Sequence, residues 1–171
     1  SGTPEFYLPL DPEKEDYIFQ LTETGKRSHH ILLAIADVQT KTDEQFQRFQ
    51  TQSIPDLQEM IASYPPATPV TGISLGDIVW DVMPLYDSYK KVISDLDLTM
   101  YHVIGNHDFD QQYTALSLAT NKEEYGELVF GEHFGPTDYS LNVGKVHIIS
   151  MKDIDYKGKK KYTEQFTPEQ L

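Results

Sequence analysis

The sequence predicts an α/β fold built on a parallel sheet, and three observations predict it. Short apolar runs at residues 30–36, 70–75 and 99–104 are separated by segments long enough to hold a crossover helix. The first run is nearly continuous, the pattern of a strand covered on both faces. Each run stops at a short polar loop: Asp37-Val38-Gln39, then Gly76-Asp77-Ile78-Val79-Trp80-Asp81, then Gly105-Asn106-His107-Asp108. Ligands of such sheets bind beyond the carboxyl ends of the strands. Asp37, Asp77 and Asn106 all stand at those ends.

Residues 1–15, rich in proline and charge, read as a linker or edge segment, with the domain taken as 16–171. Tyr17 to Leu21 form a possible first strand, turned by Thr24-Gly25-Lys26. Thr42 with Gln45 makes a capping box, and Phe46, Phe49, Leu57, Met60, Ile61 and Tyr64 recur near the helical period. Pro55 is expected to break or kink this helix, with Ser53 recapping a second piece, and Pro65-Pro66 ends it. A helix over 84–96 leads into the third strand. Residues 114–127 read as helix and loop, with His133 in a short loop beyond them. Two segments flanking Asn142-Val143-Gly144 read as a hairpin. Thr167, Pro168 and Gln170 announce a final helix start.

Composition narrows the chemistry. The chain has 171 residues, no cysteine and a formal charge of −13. Without thiolates, only His, Asp, Glu and Asn or Gln remain as metal ligands, the set that suits Mn, Fe, Zn or Mg. The negative charge disfavours nucleic acid, whose binding rests on basic surface. The run at 157–161 reads as a solvated basic loop. No segment is apolar for the eighteen or more residues of a membrane span, so a soluble protein is expected, and no signal-peptide pattern opens the chain. Its compartment is not legible.

The three loops carry the functional signal. A Gly-Asn-His-Asp tetrad arises by accident in such a chain with odds on the order of one in a thousand, taking each residue at about five per cent usage. The Asp77 carboxylate is able to bridge two cations about 3.5 to 4 Å apart, with Asp37 on one and Asn106 on the other. Gly76 and Gly105 suit sharp turns beside a metal. His107 follows a ligand on a tight loop and is placed to face a bound phosphate, with Asp108 or Asp81 to orient it.

These residues resemble the calcineurin-like metallophosphoesterases. That family's motifs run D-x-H, G-D-x-x-D or a near variant, G-N-H-D/E, a later His, and G-H-x-H. Asp37-Val38-Gln39, Gly76-Asp77 through Asp81, and Gly105-Asn106-His107-Asp108 match the first three in order and approximate spacing, and the resemblance covers about residues 28–171. The segment from Phe134-Gly135-Pro136 to Ser140, with the hairpin after it, is similar to bacterial members that have extra flanking domains. The resemblance implies a mixed-sheet αββα sandwich and two divalent ions, Mn, Fe or Zn. It implies Asp37 as a ligand of the first ion, Asp77 as the bridge, Asn106 as a ligand of the second, and His107 as the group that protonates the leaving oxygen or stabilises the transition state. The activity implied is hydrolysis of a phosphomonoester or phosphodiester by a metal-bound hydroxide.

The chain departs from the pattern in two places. Gln39 replaces the motif's His, as in D-x-Q subgroups, and is a weaker ligand. The later His and the G-H-x-H motif are absent from these residues, and His133 and His147 are poor substitutes. Trp80 stands where the purple acid phosphatase branch has its iron-binding tyrosine, and indole does not ligate iron. The expectation is therefore an N-terminal portion of the domain with weak or partial metal occupancy and an exposed sheet edge that invites self-association. The alternative expectation is a non-catalytic fragment or pseudoenzyme acting as a binding or structural unit.

Overall fold

The computed structural model describes residues 7, 11–18, 29–109, 122–158 and 161–171. Its architecture is mixed α/β. Strands β1 (Ile31–Ile35), β2 (Val70–Leu75) and β3 (Met100–Val103) form a parallel sheet in the order β1-β2-β3. Ile31 pairs with Val70 and Gly72 with Met100. Hairpins β4–β5 (Tyr139–Val143, Val146–Ser150) and β6–β7 (Ile154–Gly158, Lys161–Glu164) are antiparallel.

The first crossover begins at helix α1 (Asp43–Arg48), where Thr42 is extended and its hydroxyl accepts from the Gln45 amide at 3.3 Å. The reciprocal arm of the capping box lands one residue early, because the Gln45 carbonyl accepts from the Lys41 amide at 2.5 Å. Pro55 does not break the helix. A π-helical turn over Phe49–Ser53 joins α1 to α2 (Ile54–Ala62), and Ser53 stays helical without a side-chain cap. The wide turn absorbs the proline: the Ile54 amide bonds to the Phe49 carbonyl, five residues back. One extra residue in the turn rotates everything after it. Phe46 and Ile54 are therefore buried, while Met60 and Tyr64, expected on the same face, are 43% and 44% exposed.

The second crossover is helical over 83–96 as the sequence predicts, with α3 (Tyr86–Ile93) between two 3-10 turns. Helix α4 (Lys122–Phe134) extends further than expected and places His133 in its last turn. The stop signal is Gly135, left-handed at φ +90, whose amide bonds back to the Gly131 carbonyl, followed by Pro136. The helix expected over 114–121 lies outside the described residues, as does the strand expected over 19–21. Tyr17 and Ile18 are not in a strand, and Ile18 is 96% exposed.

The core lies between the sheet and the helices: Leu33, Phe46, Met83, Tyr86, Tyr89, Ile93, Met100, Phe109, Phe130 and Phe134 are buried together. Each such side chain contributes on the order of 1.5–3 kcal/mol. Cover on both faces of β1 is not what the described residues show. Leu33 is 5% exposed, while Leu32 and Leu75, on the opposite face, are 42% and 51% exposed. Hairpin β4–β5 reaches β3 through Tyr139, which stacks on Tyr101 and donates to the His102 carbonyl at 3.0 Å.

The basic run is not simply a loop, since Lys157 belongs to β6 and Lys161 to β7. The alternation of Ile154, Asp155 and Tyr156 was the strand signal there. At the C-terminal end the Thr167 amide donates to the Gln170 side-chain carbonyl at 2.7 Å, but the residues form a turn and not the start of a helix. No helix among the described residues is long and apolar enough to cross a membrane.

Candidate metal centre

The parallel register sets the three loops side by side. Beyond the strand ends their backbones stay joined: the Gln39 amide donates to the Asp77 carbonyl at 2.9 Å, the Trp80 amide to Thr40 at 2.9 Å, and the Asp81 amide to His107 at 3.1 Å. The second and third loops approach so closely that a side chain between them has no room. A Cβ added to Gly105 would lie 2.2 Å from the Asp77 carboxylate and 2.3 Å from its backbone nitrogen.

Strain marks the same place. Five non-glycine residues among those described have positive φ, and Asp37 (51), Gln39 (46), Asp77 (50) and Asp81 (61) are four of them. Left-handed backbone costs a side-chain-bearing residue on the order of 1 kcal/mol or more, and it persists where surrounding bonds over-determine it. Here those bonds are the ones between the loops. All four residues belong to the set singled out from the sequence.

Asp77 is 8% exposed. One of its carboxylate oxygens accepts the His107 amide at 3.0 Å and the other the Gln39 side-chain amide at 2.8 Å. Gln39 also reaches Asp37, at 3.4 Å. Asn106 opens the 3-10 turn Asn106–Phe109 beside them. The structure thus brings Asp37, Gln39, Asp77 and Asn106 onto adjoining loops.

His107 is oriented by Asp81, not Asp108. Its Nδ1 lies 2.7 Å from the Asp81 carboxylate, which leaves Nε2 for a ligand. Its ring stacks on Trp80, with centroids 4.0 Å apart and planes at 23°. The Lys41 ammonium also sits over that indole, 4.2 Å from the ring centre. This stack is the feature sequence reasoning missed. Its only signal was Trp80 lying one residue before the Asp that holds the histidine.

Asp108 was expected beside the chemistry and is instead fully buried. Its oxygens accept the amides of Ile78 at 3.0 Å, Val79 at 3.3 Å and Gly105 at 2.9 Å, clamping the second loop to the third. Burial pushes its pKa up to about 7, the Gly105 amide pulls it down, the Asp77 charge raises it, and the Val79 and Ile78 amides lower it again. Both oxygens face N–H donors, a geometry that suits the carboxylate. Asp108 is a positioning residue.

Three other histidines lie in other elements of the fold. His147 bonds across its hairpin to Asn142 at 2.8 Å, and His133 lies 3.6 Å from Asp87 and packs against Tyr86. His102 is buried in β3 against Tyr89 and Phe134, and burial lowers its pKa to about 3.

Two carboxylates and two amides form an oxygen donor set that fits a hard divalent cation, once the Gln39 amide turns its carbonyl inward. Among the described residues, however, no group of three His, Cys, Asp or Glu is placed to hold a metal ion, so the amides would have to complete even a single site. No family model, curated protein or solved structure matches the chain.

Proposed function

We propose that the chain carries a metallophosphoesterase-type site, of the calcineurin-like kind and on part of that family's αββα fold, acting on a phosphomonoester or phosphodiester. The observation that supports this reading most is the convergence of Asp37, Gln39, Asp77 and Asn106 on left-handed and glycine-lined loops, with His107 held beside them. A divalent cation bound there would supply charge to offset the phosphate and lower the pKa of a bound water. The chain's own residues do the rest. Asp77, fixed by the His107 amide, presents a carboxylate to the cation. Asp81 engages Nδ1, so that a protonated His107 offers its Nε2–H to the leaving oxygen. Trp80 keeps the imidazole plane from rotating. With Mn supplied, the chain is expected to release p-nitrophenol from an aryl phosphate or diester, and Asn106→Ala to abolish the release. No turnover with any of Mn, Fe or Zn, together with an inert Asn106→Ala, sinks the proposal.

One observation favours a second reading, a non-catalytic unit. The Gln39 side chain turns its NH₂, not its carbonyl, toward Asp77, donating to the carboxylate at 2.8 Å. Under that reading calorimetry finds one weak cation site or none. Two submicromolar sites would exclude it.

A further inference from the structure

A cavity of about 280 Å³ opens beside the first loop, walled by Gln39 and Thr40 on one side and by Gln45, Arg48, Gln52 and Ser53 on the other. The π turn supplies Phe49, Gln52 and Ser53 to its wall. Its chemistry is unlike the rest of the chain. No Asp or Glu lines it, although the net charge is −13. Arg48 is its one cation. Among the described residues the side chains of Arg48, Gln52 and Ser53 make no hydrogen bond or ion pair, so these donors are uncommitted. Thr40 also lines it, though its hydroxyl is buried out of reach of solvent and so of a ligand.

We infer that this cavity is a binding subsite for a second oxyanion of the substrate, a carboxylate or phosphate on the leaving group. The inference rests on the phosphoesterase reading for its geometry, because Gln39 belongs to both the cavity wall and the candidate metal centre. An oxyanion meets a guanidinium fork, an amide and a hydroxyl there, and no carboxylate repels it. A substrate seated at both places carries its scissile phosphate at Asp77 and its second anion at Arg48.

The test uses the whole chain with Mn and two non-hydrolysable probes, 3-phosphonopropionate and ethylphosphonate, which differ in one carboxylate. Calorimetry is expected to give at least tenfold tighter binding of the first, and parity in Arg48→Met. Equal affinities, or a preference that survives Arg48→Met, overturn the inference. Glutarate separates its failure from that of the phosphoesterase reading. Arg48-dependent glutarate binding, with phosphonate affinities indifferent to Asp77→Asn, keeps the cavity and removes the metal centre; glutarate binding that ignores Arg48 removes the cavity.

Discussion

Asp108→Asn tests how the loops are held. The carboxylate accepts three backbone amides, Ile78 and Val79 on one oxygen and Gly105 on the other, which Ile78 also reaches at 3.3 Å. An amide of the same shape keeps at best the Ile78 and Val79 bonds and turns its NH₂ toward the Gly105 N–H. One buried donor is then unpaired, costing about 1–3 kcal/mol, and the two remaining bonds lose their charge assistance, about 1 kcal/mol each. The expected loss is about 3–5 kcal/mol. For a chain of this size that lowers the melting temperature by roughly 6–20 °C at 2–4 °C per kcal/mol. Urea unfolding gives the first number and calorimetric melting the second. A loss below about 1 kcal/mol would mean that Asp108 does not clamp the two loops.

Gly105→Ala should be worse than an ordinary surface change, because its methyl would enter the backbone and carboxylate of Asp77; soluble yield and urea midpoint are expected to fall, and an unchanged midpoint would refute the close approach. His102 makes stability depend on pH. Its folded pKa, about 3, lies below the usual 6.5, so the unfolded chain holds the extra proton between those values and stability rises with pH. Acidifying from pH 7 to 4 should remove about 3 kcal/mol through this group, and His102→Gln should flatten that part of the urea-midpoint profile. Gln39→His should tighten Mn binding about tenfold, since imidazole is the stronger ligand and histidine tolerates a left-handed backbone; a titration with unchanged affinity would place residue 39 outside the cation's reach.

Much of this arrangement was legible in the sequence because it follows from local rules. Apolar runs at residues 30–36, 70–75 and 99–104 became parallel neighbours, and polar residues at their ends had to meet. Roles that depend on third parties were not legible. Spacing left Asp81 and Asp108 as equal partners for His107, and only the fold shows one oxygen pair facing the imidazole and the other buried on backbone amides. The π turn was hidden for a similar reason. Pro55 announces trouble in a helix, but whether the helix breaks or widens depends on what packs beyond it. The second hairpin was obscured by the lysine run at 157–161, whose charge outweighed the shorter alternation from Ile154 to Tyr156.

The most direct test of the central claim is a titration of the chain and its Asp77→Asn variant with Mn, following free ion by electron paramagnetic resonance. Asp77-dependent uptake with a dissociation constant on the order of 10⁻⁴ M, the range of sparsely liganded hard-cation sites, is the predicted result. No uptake, or uptake that Asp77→Asn leaves unchanged, would contradict the reading of these loops as a metal centre.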